Sequence, residues 1–200
     1  MSKPIRVVGV SGSPTDPSRT TALVRRVSEA FADRLGGEVE VIELATVLPA
    51  LAAGGYRSNL GQPALDALDA VETADLLVVG SPAYRATYSG LFKLFFDYVG
   101  QYALVDTPIV LTATGGSDRH ALLVEHQMRP LFGFFQALTL PLGIFANERD
   151  FTDYQVTSDD LDERIQTSIS RALPLVQSRI AVNAAAEREA LDALGEARSA

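Results

Sequence analysis

Between Gly12 and Thr21 the chain sets Ser13, Ser18, Thr20 and Thr21 around two prolines, Pro14 and Pro17, with Arg19 among them. Hydroxyls and a guanidinium gathered about the first turn of a helix make an anion site. The first-turn N–H groups have no intrahelical acceptor there, and the helix dipole adds positive potential. A helix cap alone would use one hydroxyl, whereas this loop supplies several on both sides of the turn. The spacing fits neither GxxxxGK[ST] nor GxGxxG, so the anion it suits is a phosphate monoester rather than a nucleoside triphosphate or a dinucleotide. Two other stretches differ in chemistry. Pro82, Ala83, Tyr84 and Tyr88 offer flat apolar surface and exposed backbone amides, and Gly115 and Gly116 let the main chain approach a planar ring closely. Phosphate at one end and a flat heterocycle at the other describe an isoalloxazine site. In the plainer alternative the tyrosines cover a sheet end and the glycines make a turn.

The elements needed to bring these stretches together can be read from periodicity. Val7, Val8 and Val10 form a buried-strand run that ends at Ser11. A helix is expected from Arg19 to Leu35, with Leu23, Val27, Ala30, Phe31 and Leu35 on one face and Gly36 and Gly37 ending it. Glu38 to Leu44 alternates charged and apolar residues, as an edge strand does, while Asp75–Ser81 and Pro108–Thr114 are the continuous runs of central strands. Ala45 to Leu60 reads as an ordered loop over a site. Pro63 opens a short helix to Thr73 at its first position.

Further helices are expected at about 89–99 and 119–138, a fifth strand at Leu140–Ala146, and a last helix with the stripe Leu161, Ile165, Ile169, Leu173, Val176, Ile180, kinked at Pro174. Alternating strands and helices give a parallel sheet with right-handed crossovers. An edge-like second strand matches order 2-1-3-4-5, a flavodoxin-like α/β fold of five strands with helices on both faces. Ligands of such sheets sit at the carboxyl ends of the strands beside the switch point. The loops after strands one, three and four should therefore converge on one ligand.

Composition bounds the rest. Two hundred residues, 47% hydrophobic and 21% charged, make one ordinary domain, placed at 1–182, with an Ala- and Glu-rich tail at 183–200 expected to be a frayed helix or disordered. The absence of cysteine excludes disulfides, thiolate metal sites, iron–sulfur clusters and a cysteine nucleophile, so electron chemistry must come from a bound cofactor. No metal is called for. Neither a signal segment nor an apolar run of membrane length appears, so a cytoplasmic protein without a membrane partner is expected. A net charge of −8 repels nucleic acid.

Three motifs, GSPTDPSRTT, SPAYRATYSGLFKLFFD and TATGGSDRHALLVEHQMRPLF, in this order and spacing resemble the NAD(P)H-dependent FMN reductases of the flavodoxin-like superfamily. The likeness is greatest to those serving alkanesulfonate or methanesulfonate monooxygenases, and it covers about residues 5 to 180. It implies FMN phosphate at Ser13, Ser18, Arg19, Thr20 and Thr21, and ring contacts at Pro82, Ala83, Tyr84, Arg85, Thr114, Gly115, Gly116 and Ser117. It also implies NADH or NADPH as hydride donor, release of reduced FMN to a flavin-dependent monooxygenase, and a homodimer or homotetramer. The family often has arginine after the GSP triplet where this chain has Thr15, which leaves phosphate affinity resting more on Arg19 and FMN held loosely.

Hydride transfer of this kind needs orientation and stacking, so no catalytic acid or base is assigned. Arg85 is open between steadying a dinucleotide phosphate or a reduced ring and being an exposed loop arginine; His120 reads as a rim residue. His126 corresponds to a position described in related reductases as an inserted residue making a π-turn at a subunit interface, the alternative being a surface histidine. Two other readings of the chain compete: an FMN-retaining quinone or azo-dye reductase, and a flavodoxin-type electron carrier. Against the carrier stand the helices at 89–99 and 119–138, apolar over more than one face, which calls for a partner subunit.

Overall fold

The apolar run at the N-terminus becomes β1 (Arg6–Ser11), which pairs in parallel with β2 (Glu38–Glu43) on one side and β3 (Leu76–Pro82) on the other. The computed structural model describes residues 4–52 and 54–199. β4 (Pro108–Gly115) follows β3, and the far edge of β4 is covered by two short strands, β5 (Leu138–Thr139) and β6 (Ile144–Asn147). The order is β2-β1-β3-β4-β5, all parallel, with β2 at the edge as its alternation requires. Of the fifth strand expected at Leu140–Ala146 only residues 144–146 are strand, and the pairing that precedes it, Leu138–Thr139, begins where the helix was expected to end. Pro141 between them has no N–H for a ladder, and a Cβ on Gly143 would come within 2.3 Å of Val124, so this stretch is shaped by the helical segment above it.

Both sheet faces are covered. α1 (Arg19–Leu35) and α6 (Asp159–Ser199) lie on one face, packing Leu23, Val27, Phe31, Ile165, Ile169 and Val176 against Val7, Leu76, Val78 and Val110. α1 begins at Ser18, whose hydroxyl accepts the Thr21 N–H, and ends at Gly36 in the left-handed region. It lies unusually close to the sheet: a Cβ on Gly9 or Gly80 would fall 2.7 or 2.4 Å from Val24. α6 runs through Pro174 and past residue 182 without a break; its last side chains and Ala200 lie outside the described residues.

The opposite face carries α2 (Leu44–Leu51), α3 (Gln62–Glu72), α4 (Gly90–Phe96) and α5 (Arg129–Phe134). α2 corrects the expected loop over a site. Leu44, Val47 and Leu51 recur at helical spacing and are buried against the core, and Pro49 hid the helix from view. Pro63 is the second residue of α3, not its first. The long helix expected at 119–138 is broken into a 3₁₀ turn (Asp118–His120), a π-helix (Val124–Met128) and α5. In the π-helix the Arg129 N–H reaches back to the Val124 carbonyl. The widened turn contains His126, as the resemblance implied, and is bridged by Arg129, which holds Glu125 through bonds of 2.6 and 2.8 Å.

After β6 a 3₁₀ turn (Glu148–Asp150) leads into a two-residue hairpin of β7 (Phe151–Thr152) and β8 (Gln155–Val156). Asp153 and Tyr154 take positive φ of 47° and 60° at its tip, the twist a tight hairpin demands.

Candidate active site

The loops after β1, β3, β4 and β6 meet at the carboxyl end of the sheet and enclose a cleft of about 260 Å³. Ser13, Thr15, Pro17, Ser18, Arg19 and Thr20 line one end; Pro82, Ala83, Tyr84, Thr114, Gly115 and Gly116 line the other. Ten of the thirteen residues singled out in the sequence lie on this wall; Thr21, Arg85 and Ser117 do not.

The loop after β1 is anchored before it reaches the cleft. Gly12 donates its N–H to the Gly80 carbonyl at 2.7 Å, and its own carbonyl accepts the Ser89 hydroxyl at 2.6 Å. Ser89 in turn caps α4 and donates its N–H to Ser81, so one serine joins the first two loops. Beyond Gly12 the Ser13 hydroxyl donates to the Thr15 carbonyl and accepts the Thr15 N–H, holding a small turn.

Two of the expected phosphate hydroxyls are engaged elsewhere. The Thr20 hydroxyl is 2.7 Å from that of Thr114, which ties the first turn of α1 to the end of β4. The Thr21 hydroxyl is 2.8 Å from that of Ser11, and Thr21 faces a neighbouring cleft between α1 and the 151–156 hairpin. They lock the helix start in place. The anion-binding capacity of this end therefore rests on the backbone N–H groups of the first turn, on the Ser18 hydroxyl, which only accepts there, on Arg19, and on Ser13 once its hydroxyl turns from the Thr15 carbonyl.

At the apolar end the Ala83 N–H donates to the Thr114 carbonyl at 2.7 Å and that of Tyr84 to the Thr87 carbonyl at 2.8 Å, so these amides are not exposed as expected. What this loop offers is surface: Pro82, Ala83 and the exposed Tyr84. Tyr88 turns inward instead, its ring 5.7 Å from that of Phe92. Arg85 is exposed on a turn where it and Ala86 have positive φ of 51° and 70°, and it stays off the cleft wall.

The paired glycines divide their roles. A Cβ on Gly115 would sit 3.0 Å from Phe145 and 3.3 Å from His120, so that glycine serves packing. A Cβ on Gly116 would meet no described atom within 4 Å, which leaves open space above the main chain. Ser117 precedes the 3₁₀ turn that carries Asp118 and His120; Asp118 accepts from Asn147 at 2.9 Å and pairs with Arg149 at 3.3 Å, joining the loops after β4 and β6.

The fourth wall was not read from the sequence. Asn147, Glu148, Phe151 and Tyr154 close the cleft from the β6 side. The carboxyl-end rule applied to the fifth strand would have reached Asn147 and Glu148. The hairpin had no such signal, because Asp-Tyr at its tip lacks the glycine that marks most turns of this type. Glu148 Oε1 lies 2.5 Å from Arg19 Nη2, and the Tyr154 ring centroid lies 6.0 Å from the Arg19 guanidinium carbon.

The cleft fits FMN in chemistry at both ends: hydroxyls, helix-start amides and one arginine for a phosphate monoester, and an apolar shelf with open main chain at Gly116 for a flat ring. Comparison with known proteins agrees. A family model described as NADPH-dependent FMN reductase matches residues 5–152. The chain is 47% identical over 175 residues to the NADH-dependent FMN reductase SfnF of Pseudomonas fluorescens, covering 88% of this chain and 94% of that one. It is 45% identical over 179 residues to an FMN reductase (NADPH) of Pseudomonas aeruginosa, covering 90% and 96%. A solved oxidoreductase of Corynebacterium diphtheriae superposes with a TM-score of 0.77 at 29% identity, covering 88% of this chain and 99% of that one. The chain belongs to the NADPH-dependent FMN reductase family: it is an oxidoreductase that works on FMN with a reduced nicotinamide nucleotide.

Proposed function

We propose that this reductase takes FMN as an exchanging substrate and supplies reduced FMN to a flavin-dependent monooxygenase, in the context of sulfonate breakdown. The observation that carries the reading is the two-ended cleft, with a single arginine at its phosphate end and an open apolar shelf at the other. FMN bound there supplies the acceptor for a hydride from the nicotinamide. Ser13, Ser18, Arg19 and the first turn of α1 hold the phosphate; Pro82, Ala83 and Tyr84 support one side of the ring, and the main chain at Gly115–Gly116 lies against it. Thr20 and Thr114 act by fixing the helix start to the sheet end. No residue is asked to move a proton, since alignment and exclusion of water from a stacked pair of rings are what such a transfer requires. The sulfonate role is supported by the resemblance of the three loop motifs. The names of the relatives, one NADH-dependent and one NADPH, leave both donors open for this chain.

Steady-state oxidation of NADH and of NADPH with excess FMN tests the reading, run beside Gly116→Val. A Cβ at this position meets no described atom within 4 Å, so the fold is expected to be kept while the ring's approach is obstructed. The expected outcome is at least a tenfold rise in the KM for FMN, or loss of turnover, with an unchanged circular dichroism spectrum, on the order of 1.4 kcal/mol or more. Normal kinetics in the variant would place the ring elsewhere.

A further inference from the structure

Arg19 is engaged from two sides. Its Nη2 lies 2.5 Å from Glu148 Oε1, and the Tyr154 ring stands 6.0 Å from its guanidinium carbon. Both partners come from the segment that leaves β6, Glu148 from the short turn and Tyr154 from the tip of the hairpin. Among the described residues lining the cleft, Arg19 is the one cation and Glu148 the one anion, so the wall is formally neutral where a phosphate monoester brings about −1.5 to −2 charges.

The Arg19–Glu148 pair has little to do for the fold. The two side chains are 41% and 60% exposed, and ion pairs this open contribute little stability. Among the described residues the Glu148 carboxylate has no other hydrogen-bond partner, and the turn that carries it is held by Asn147 and Asp150 capping each other. What the carboxylate does is occupy one edge of the guanidinium fork that a phosphate would use. If the phosphate takes that edge, one charge-assisted bond is exchanged for another and the net gain is small. If it takes a different edge, a carboxylate remains beside it and repels it. Either geometry lowers affinity for the phosphorylated flavin and leaves the ring contacts untouched.

We propose that Glu148 is a built-in competitor for the flavin phosphate: its carboxylate contends for Arg19 and holds FMN affinity low enough for the flavin to leave after each turnover. This rests on the placement of the phosphate at Arg19 argued above, and the test separates the two. FMN and riboflavin are titrated into the full-length parent, Glu148→Gln and Arg19→Ala, with flavin fluorescence giving Kd and stopped-flow displacement giving the dissociation rate. Glu148→Gln should bind FMN about three- to tenfold more tightly, chiefly by slower dissociation, with riboflavin unchanged. Its KM for FMN should fall in parallel.

Equal or weaker FMN binding by Glu148→Gln, together with selective loss of FMN over riboflavin in Arg19→Ala, overturns the competitor role and makes Glu148 a residue that merely orients Arg19. Tighter binding of both flavins alike also overturns it, since the effect would not pass through the phosphate. If Arg19→Ala weakens FMN and riboflavin equally, the phosphate is not at Arg19, and the underlying placement fails first.

Discussion

With the phosphate placed as proposed, a single guanidinium at that end of the cleft concentrates the consequences of mutation on Arg19. A hydrogen bond between charged partners is worth about 1.5 to 3 kcal/mol, and here the phosphate must displace or tolerate Glu148, which puts the net value near the lower limit. Arg19→Ala should therefore weaken FMN binding by about 1.5 kcal/mol, roughly twelvefold, and leave riboflavin almost unaffected, as read by isothermal titration with both ligands. The neighbouring hydroxyls carry a different lesson. Ser18, Thr20 and Thr21 all belong to the start of α1, yet they accept the Thr21 N–H, face Thr114 and face Ser11 respectively. Their composition marked the loop as an anion site; which hydroxyls remain available to an anion depends on what β1 and β4 bring against them.

Among the elements, α3 is tied to its surroundings by one half-buried carboxylate. Glu72 at its last turn receives Arg57 at 2.5 and 2.8 Å and the Gly100 N–H at 2.8 Å, linking three stretches of chain. Burial works to raise the Glu72 pKa, but the Arg57 and Gly100 hydrogen bonds and the Arg57 charge outweigh it, and the net value lies below the usual carboxylate range. A carboxylate whose folded pKa is depressed contributes stability that is present above its unfolded value. That stability is lost as pH falls through the folded one. Glu72→Gln should thus cost about 1 to 3 kcal/mol at pH 7 in urea denaturation, and the gap to the parent should close as pH drops below about 4. A gap that persists at low pH would mean packing, not charge, is what Glu72 supplies. The π-helix is fastened in a similar way: Arg129 holds Glu125 across the widened turn and donates to the Leu140 carbonyl at 3.2 Å, where the fifth strand is interrupted.

At the scale of the molecule, the apolar excess of the 89–99 and 119–138 segments is divided between core and surface. Phe92, Phe95, Phe96, Phe132 and Phe135 are buried within the subunit and pack ring to ring, with centroids 4.7 Å apart for Phe92–Phe96 and 4.9 Å for Phe96–Phe132. A charge at Phe95 would therefore break the core and report nothing about assembly. What stays outside is Leu122 at 62% exposure and Phe134 at 60%, and Phe134 lines a groove with Phe96, Leu131 and Phe135. We propose that a second copy of the chain covers this face, which includes the π-helix and His126, to give the dimer or tetramer implied by the family resemblance. Phe134→Glu should then yield smaller species by light scattering at micromolar concentration without loss of secondary structure. A parent protein that is already monomeric there would refute the assembly.

The sequence by itself determined the elements with strong periodicity and the end of the sheet at which the loops meet around a cleft. α1 lies at Arg19–Leu35 as read, and the strand order follows from continuous against alternating apolar runs, because burial on two faces or one is written directly into side-chain polarity. Ten of the thirteen residues expected at the site lie on the cleft wall because they fall in the loops that follow the central strands. Only the tertiary structure decided what depends on contacts distant in sequence. α2 was hidden by Pro49, the fifth strand was shortened at Pro141 and at Gly143 beneath Val124, and the hairpin that closes the cleft had no glycine to announce it. The Arg19–Glu148 pair joins residues 129 positions apart, and no local pattern encodes such a meeting; it exists because α1 begins and β6 ends at the same carboxyl end of one parallel sheet.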